Sequence, residues 1–388
     1  MINPFSPRYP ANPDYFVNRI HIQERFQQMV YRSAKAKPPT PDNIAVLGAW
    51  GMGKTSMLRR FEHWCLAQKD LKIFTAIVEL NPNTCKSLEA FSARTRDEIE
   101  RSFNISDIKL ISKLKQEWLP NWRLKTIDFG IGALERNARE IAPTTALEDS
   151  FRELWSILEK NKVDVAIIMF DDLHYMAQNY PDGLYDIRGI FQGLPKDGCN
   201  FMLAASGIPS LFQVASDFAE PFTRFFDRFY LEPFGQKETE KFIKIPLQKT
   251  NPNLVIEKDI LEKIFELTQG HPFFLSFIMY DLISYASMEN TKNIDQDFFK
   301  DCFQKIFHHL SNEKFREEFN RASDTEKKVL EEMSYHSDIE ISPGQIKIPN
   351  TARYLKHLSE NKGLLTKYGR GKYKFYHPLF REYVKKFK

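Results

Sequence analysis

The sequence predicts an α/β protein with a parallel, doubly wound sheet, followed by a helical region and a basic C-terminal module. Apolar runs typical of buried strands alternate with helical patterns, and parallel neighbouring strands need a crossover helix between them. One of these runs leads directly into a glycine-rich loop. The last 36 residues contain eleven Lys and Arg against two Glu, in a chain of net charge +4. A basic module of this kind suits a polyanionic partner, although a solvated basic face is the alternative.

The first 235 residues supply the strands of the predicted sheet. Residues 1–15 are rich in Pro and Asn, which favours an extended arm, and a helix is expected from Phe16 to about Ala34. The predicted strands are 44–47, 73–80, 163–170, 200–205 and 229–231. A helical stretch is expected over 85–143, with no assignment for its aromatic middle, 118–131. Thr145 to Glu148 form a capping box that predicts the start of the next helix.

The remainder of the chain predicts two smaller domains. Helical patterns at 237–247, 257–268, 273–287 and 295–310 indicate a helical lid. From Ser323, two helices (323–334 and 349–360), a hairpin at 363–375 and a last helix at 378–387 describe a winged helix. We therefore divide the chain into an α/β core with its arm at 1–235, a lid at 236–315 and a winged helix at 316–388.

The glycine-rich loop, Gly-x-x-x-x-Gly-Lys-Thr, predicts a phosphate-binding site. Its backbone N–H groups close around a β-phosphate, Lys54 supplies a positive charge, and the Thr55 hydroxyl is a ligand for Mg²⁺. The helix that follows points its N-terminus at the same phosphate. The alternative is a tight strand-to-helix turn without a ligand. The expected nucleotide-binding residues of this loop are Gly48, Ala49, Trp50, Gly51, Met52, Gly53, Lys54, Thr55 and Ser56.

Polar residues that follow two other predicted strands supply the expected chemistry. Asp171 and Asp172 come directly after an apolar strand, so Asp171 is expected to hold Mg²⁺ through water and Asp172 to orient or deprotonate the attacking water. Two acids that cap the next helix are the alternative. Ser206 is expected to emerge after its strand and face the γ-phosphate, with a simple turn as the alternative. Lys54, Asp172 and Ser206 are thus the catalytic candidates of the core.

Two arginines before the last strand are further candidates. Arg224 or Arg228 is expected to reach the γ-phosphate of this or an adjoining subunit and to compensate the charge of the transition state. Pairing with Asp217 or Asp227 is the alternative.

The cysteines, apolar runs and histidines argue against disulfide-linked proteins, membrane-spanning proteins and proteins that bind a metal through Cys or His. The four cysteines lie far apart with no Cys-x-x-Cys pair, which argues against a zinc ribbon or a disulfide framework and fits a reducing cytoplasm. The longest apolar run, Val165–Phe170, is far too short to span a membrane, and the polar N-terminus is not expected to be a signal peptide. The histidines show no metal-ligand spacing.

Taken in order, several motifs resemble the STAND and origin-recognition-like branches of the AAA+ ATPases. The motifs are residues 16–19, the phosphate loop, the Asp171-Asp172 strand, residues 231–234, Gly270-His271-Pro272 and residues 375–381. The resemblance implies ATP, rather than GTP, as the nucleotide, since no Asn-Lys-x-Asp signature is present.

The resemblance also assigns roles to single residues. By that analogy Val17 and Arg19 line the adenine site, and Pro272 lies in a turn that brings the lid onto the nucleotide. Asn18 replaces the usual Gly, and Asp172 the usual Glu. The shorter carboxylate of Asp172 predicts slow turnover and a long-lived ATP state. Gly270-His271-Pro272 also stands where related ATPases often place a sensor Arg.

Three functions compete. The first is an ATP-dependent switch whose hairpin residues Lys367, Arg370, Lys372 and Lys374 contact double-stranded DNA. The second is a signalling or defence ATPase that assembles or binds a protein partner, for which the aromatic residues Tyr354, Tyr368, Tyr373, Phe375, Tyr376 and Phe380 also suit an interface. The third is a nucleotide-binding protein that does not hydrolyse its ligand.

Overall fold

The computed structural model describes residues 1–105, 142–212, 222 and 224–386. The chain forms two compact units, one of residues 10–232 and one of residues 1–9 with 233–388. The aromatic stretch 118–131 and Asp217 lie outside the described residues. The predicted division into core, lid and winged helix stays a prediction.

The unit of residues 10–232 is built on a five-stranded parallel sheet. Its strands are β1 (Ile44–Leu47), β2 (Ile73–Glu79), β3 (Val165–Asp171), β4 (Phe201–Gly207) and β5 (Asp227–Tyr230), in the order β2-β3-β4-β1-β5. The helices are α1 (Ile20–Lys35), α2 (Lys54–Leu66), α3 (Leu88–Ile105), α4 (Pro143–Lys160), α5 (His174–Asn179) and α6 (Asp182–Gly193). The predicted parallel α/β sheet is confirmed.

The three central strands place the site. Every residue of β1, β3 and β4 is buried, because helices cover both faces of the sheet and separate apolar cores lie on the two sides. β4 lies between β3 and β1, with Phe170 opposite Ala205 and Leu47 opposite Gly207. The carboxyl ends of these three strands therefore meet at one edge, which is where such sheets bind ligands.

Two boundaries differ from the sequence prediction for physical reasons. β4 runs to Gly207, so Ser206 is a buried strand residue and not the first residue after the strand. α4 begins at Pro143, because proline at the first helical position needs no N–H partner. The expected start at a Thr145 capping box was wrong.

The second unit is mainly helical. Its elements are α7 (Gln236–Thr250), β6 (Val255–Ile256), α8 (Lys258–Thr268), α9 (Pro272–Met288), β7 (Asn293–Ile294), α10 (Gln296–Leu310), α11 (Arg316–Asn320), α12 (Asp324–Tyr335), α13 (Thr351–Glu360), β8 (Leu365–Tyr368), β9 (Lys372–Phe375) and α14 (Pro378–Lys386). The four predicted lid helices and the C-terminal hairpin are present. The short parallel pair β6-β7 was not predicted. A π-helical turn, Ser311–Phe315, joins α10 directly to α11 across the expected boundary at 315.

The first nine residues pack within this second unit. The Asn3 side chain donates to Tyr280 O at 2.8 Å, and the Ile2 backbone exchanges hydrogen bonds with the Asn251 side chain. Phe5 is buried in the core that α7 to α14 share. Among the described residues, none of the helices combines the length and apolar character needed to cross a membrane.

Candidate nucleotide site

The loop after β1 has the backbone that a phosphate cradle requires. Gly51 and Gly53 have φ values of 77° and 89°, in the left-handed region that favours glycine. Gly48 passes close to the end of β5, so that a Cβ there would lie 3.2 Å from the Leu231 Cβ. The Trp50 side chain is 59% exposed at the tip of the loop. Side chains at these glycines would therefore strain or crowd the loop.

Lys54 is the first residue of α2 and is buried beneath the loop. Its ammonium donates to Ala49 O, the N–O distance being 3.2 Å. Burial lowers the pKa of Lys54, and the carboxylates of Asp172 and Asp171 partly offset this effect. Anionic oxygens stabilise a buried ammonium; the two carboxylates supply them here, and a bound phosphate would supply more.

The predicted polar residues form one hydrogen-bonded set at the carboxyl edge. The Thr55 hydroxyl donates to Asp171 Oδ2 at 2.7 Å, and the Ser206 hydroxyl donates to Asp171 Oδ1. The backbone N–H of Asp172 donates to Ser206 Oγ at 2.9 Å. Asp171 is 5% exposed and Ser206 is fully buried. The structure thus brings residues from α2, β3 and β4 together, which are far apart in the chain.

Asp172 has an unusual backbone and environment. Its φ of 58° is left-handed, and its carboxylate leaves the line of β3. Burial raises the pKa of Asp172, the charge of Asp171 raises it further, and Lys54 lowers it. The two adjacent acids therefore do not occupy equivalent positions.

The sequence analysis missed His174, which lies beside Asp172. His174 begins α5, and its Nδ1 is 3.7 Å from Asp172 Oδ1. Burial and the nearby Lys54 ammonium lower the pKa of His174 to about 4, with Asp171 opposing them. A single histidine two residues after an acid pair matches no motif, so only its position against the strand ends could have indicated it.

The residues before α1 adopt the turn that the adenine-site analogy needs. Asn18 and Arg19 both have positive φ, of 67° and 55°, and both are buried. Asn is one of the few non-glycine residues that adopt this region readily, which explains how it can replace Gly. The Arg19 guanidinium donates to Glu232 O, and Val17 is half-buried. Their adenine roles stay predictions, as does that of Pro272, which belongs to the other unit.

The two candidate arginines lie away from the cradle. Asp227 pairs with Ile44 at the start of β1, so Arg224 precedes the amino ends of the strands, whereas the loop follows their carboxyl ends. Arg224, Arg25 and Arg188 line a cavity of about 750 Å³ at this opposite edge. The Arg228 guanidinium lies 5.3 Å from the centre of the Phe212 ring. The placement of Arg224 disfavours action within the same subunit. Action on an adjoining subunit stays a prediction.

Asp227 is one of the two acids expected to pair with these arginines as an alternative. Its ion pair is with Arg25, at 2.9 Å, and not with Arg224 or Arg228.

The C-terminal hairpin presents positive charge but few aromatic rings. Lys367, Arg370 and Lys372 are exposed, and the half-buried Lys374 lies 4.9 Å from the centre of the Tyr368 ring. Of the six aromatic residues considered for an interface, only Tyr368 is exposed; Tyr373, Phe375 and Phe380 are core residues, and Tyr354 and Tyr376 are half-buried. The expected aromatic surface was wrong, because these rings fill the core between hairpin and helices.

The comparisons with known proteins agree with this geometry. The KAP family P-loop domain matches residues 19–183. A Walker-type ATPase of Pyrococcus abyssi shares the fold with a TM-score of 0.61 at 15% identity, over 95% of this chain and 96% of that chain. The ORC2 protein of Aeropyrum pernix, in its ADP form, has a TM-score of 0.55 at 14% identity, over 95% and 93% of the two chains. No match to a curated protein was found.

The family model matches a P-loop domain, so the predicted resemblance to P-loop NTPases is confirmed. The likeness to the Walker-type ATPase and to ORC2, at 15% and 14% identity, shows a shared fold.

Proposed function

We propose that this chain, which carries a P-loop domain of the KAP type at residues 19–183, binds Mg·ATP and hydrolyses it slowly as a molecular switch. The observation that supports this most directly is the hydrogen-bonded set of Thr55, Asp171, Ser206 and Asp172 facing the Lys54 ammonium. Two strand ends and one helix start supply these groups, and a simple turn would not require them.

The oxygen atoms of Thr55 and Asp171 fit a magnesium ion. A hydroxyl and a carboxylate 2.7 Å apart match the oxygen ligands that Mg²⁺ takes beside substrate phosphates. Thr55 would hold the ion directly and Asp171 through water. When bound, the ion would neutralise charge on the β- and γ-phosphate oxygens. We found no cluster of three or more His, Cys, Asp or Glu suited to a metal in the part of the chain that the structure describes.

In the proposed reaction, Asp172 orients water for attack on the γ-phosphorus. The new bond joins the water oxygen to phosphorus, and the bond from phosphorus to the bridging oxygen breaks. The electron pair of that bond leaves with ADP, and one water proton passes to the Asp172 carboxylate. Lys54 and the N–H groups of the loop stabilise the phosphate charge.

The proposal predicts a separation of binding from turnover. Asp172→Asn should keep the affinity for Mg·ATP and reduce kcat by about 100-fold or more, because the amide cannot take the water proton. Lys54→Ala should weaken binding or turnover, since it removes the buried charge. Isothermal calorimetry and phosphate release measure the two effects, and Trp50 gives a fluorescence signal at the loop. The proposal fails if wild type neither binds nor hydrolyses ATP, or if Asp172→Asn turns over normally.

We further propose that the C-terminal elements form a winged helix that reports the nucleotide state to double-stranded DNA. The exposed Lys367, Arg370 and Lys372 on the β8-β9 hairpin favour a polyanion. Binding measured at low salt with ATP or ADP tests this output. Assembly driven by ATP analogues without DNA, measured as mass in solution, would favour self-assembly or a protein partner instead.

A further inference from the structure

His174 has a buried nitrogen that the proposed reaction leaves unused. The residue is 9% exposed, and among the described residues Nδ1 has no hydrogen-bond partner. Leaving such an atom unpaired in the interior costs free energy, so its position needs an explanation. The nearest acidic group is Asp172 Oδ1, at 3.7 Å.

The protonation state of His174 decides whether its contact with Asp172 can be an ion pair or a hydrogen bond. The pKa of His174, about 4, leaves the imidazole neutral at neutral pH, so the contact is not an ion pair. A neutral imidazole carries one N–H, and a carboxylate only accepts hydrogen bonds. A proton on Nδ1 therefore lets His174 donate to Asp172. The separation exceeds a hydrogen bond by less than 1 Å, and catalytic hydrogen bonds are often long before the substrate is bound.

The rest of Asp172 is already fixed. Its backbone N–H is held by Ser206 Oγ at 2.9 Å, and its left-handed φ sets the direction of the side chain. The two side-chain torsions, which direct the carboxylate, are left to be restrained. His174 approaches that group from the first turn of α5.

We propose that His174 is a positioning residue that holds the Asp172 carboxylate toward the attacking water. Asp172 is one methylene shorter than the glutamate that the sequence resemblance leads one to expect. Its carboxylate therefore lies farther from the attacking water and has to be oriented more accurately. The pair of Asp172 and His174 performs together what one longer carboxylate does alone. This inference rests on the proposed ATPase function and adds a residue to that site.

The test combines three variants in the full chain. His174→Ala should reduce kcat by about 10- to 100-fold with little change in KM or in Mg·ATP affinity. His174→Asn places an amide N–H near the position of Nδ1 and should keep most of the activity. Asp172→Glu combined with His174→Ala should regain much of the lost kcat, because the longer carboxylate needs less help. His308→Ala, an exposed histidine on α10, is the control and should match wild type.

The outcomes separate the inference from the function on which it rests. If wild type hydrolyses ATP and His174→Ala has the same kcat, the inference is wrong and the ATPase stands. If His174→Ala and His174→Asn are equally impaired and Asp172→Glu restores nothing, His174 acts only in packing and the inference is also wrong. If wild type binds no Mg·ATP, the proposed function itself is wrong. Should His174→Ala fail to fold, His174→Phe keeps the aromatic ring without an N–H, replaces His174→Ala alone and in the double variant, and is expected to give the same results.

Discussion

Asp171 and Asp172 are adjacent in the chain but are held in different ways. Asp171 ends β3 and accepts hydrogen bonds from Thr55 and Ser206, so both of its oxygens are used within the protein. Asp172 leaves the strand through a left-handed backbone, and only its N–H is tied to Ser206. The carboxylate of the proposed metal ligand is therefore held within the protein, whereas the carboxylate of the proposed water-orienting residue is left for His174 to position.

Glu326, in the C-terminal unit, is another carboxylate whose neighbours hold it by hydrogen bonds. It is buried, and its carboxylate accepts hydrogen bonds from Lys362 at 2.6 Å, from His357 and from the Ser323 N–H. Burial raises the pKa of Glu326, but these hydrogen bonds outweigh it and lower the pKa to about 2. The ionised carboxylate thus links α12 to the segment after α13.

Glu326→Gln should make the stability of the C-terminal unit less sensitive to low pH. Because the folded pKa lies below the ordinary 4.5, the carboxylate stabilises the fold above pH 4.5 and loses this effect as the pH falls towards 2. The difference in the free energy of unfolding between wild type and variant should be up to about 3 kcal/mol near neutral pH. It should shrink as the pH falls from 4.5 towards 2. Urea unfolding followed by circular dichroism at several pH values measures it.

Glu360→Gln is the matched control, since Glu360 is exposed and forms an ion pair with the exposed Lys356 at 3.8 Å. It should change stability little at any pH. A difference between wild type and Glu326→Gln that stays constant from pH 7 to 2 would contradict the assignment.

At the scale of elements, the sequence predicted strands best where burial is complete. β1, β3 and β4 are largely apolar runs covered on both faces, which is the pattern typical of strands inside a parallel sheet. Strand ends were less predictable, because they depend on pairing with a neighbour. Ser206 belongs to β4 since Val46 of β1 pairs with it. The two-residue strands β6 and β7 are too short to produce a pattern.

The candidate site was predictable where a motif is contiguous, as in the phosphate loop, and where acids follow a buried strand. The structure was needed for contacts across the sheet. The approach of His174 to Asp172 depends on the turn between β3 and α5, and the distance of Arg224 from the loop depends on the register of β5 against β1. Neither is encoded in local spacing.

Gly270 lets the turn between α8 and α9 pack against the chain after residue 232. Its φ is 69°, its carbonyl accepts from the Phe234 N–H at 2.9 Å, and a Cβ built there would lie 1.8 Å from Phe234 O. The obstacle is backbone, which cannot rotate away as a side chain can. A side chain at this position would force the turn and the segment apart.

Gly270→Ala should destabilise the C-terminal unit by more than about 1 kcal/mol from the backbone conformation alone, with the steric clash adding to this. The five tryptophans all precede residue 156, so circular dichroism should show the loss while tryptophan fluorescence reports an unchanged N-terminal unit. Gly344→Ala, where nothing lies within 4 Å of the new Cβ, should be close to neutral. Equal effects of the two substitutions would contradict this account.

For the whole molecule, the net charge of +4 conceals an uneven distribution. The last 36 residues, with eleven Lys and Arg against two Glu, have a net charge of +9, so the rest of the chain has a net charge of −5; the hairpin exposes three of these basic side chains. A polyanion would therefore be attracted to one end of the C-terminal unit. Binding that depends on phosphate contacts weakens as salt rises, because releasing counterions from the polyanion gains less free energy when the salt concentration is high.

Lys367→Ala with Arg370→Ala should weaken DNA binding and make its salt dependence less steep, by about two in the slope of log K against log salt. Filter binding or fluorescence anisotropy between about 50 and 200 mM salt measures the slope. Lys258→Ala with Lys263→Ala removes the same charge from α8 and should leave the slope unchanged. If both double variants weaken binding equally, overall charge and not the hairpin is responsible.

The placement of residues 1–9 with residues 233–388 means that the polypeptide passes between the two units twice, once near residue 9 and again near residue 232. The connection near residue 232 is covalent, whereas the one near residue 9 lasts only while residues 1–9 stay docked through their hydrogen bonds and the buried Phe5. A protease cut near residue 232 would therefore leave two fragments held together by non-covalent contacts, and a cut near residue 9 would leave residues 10–388 as one chain.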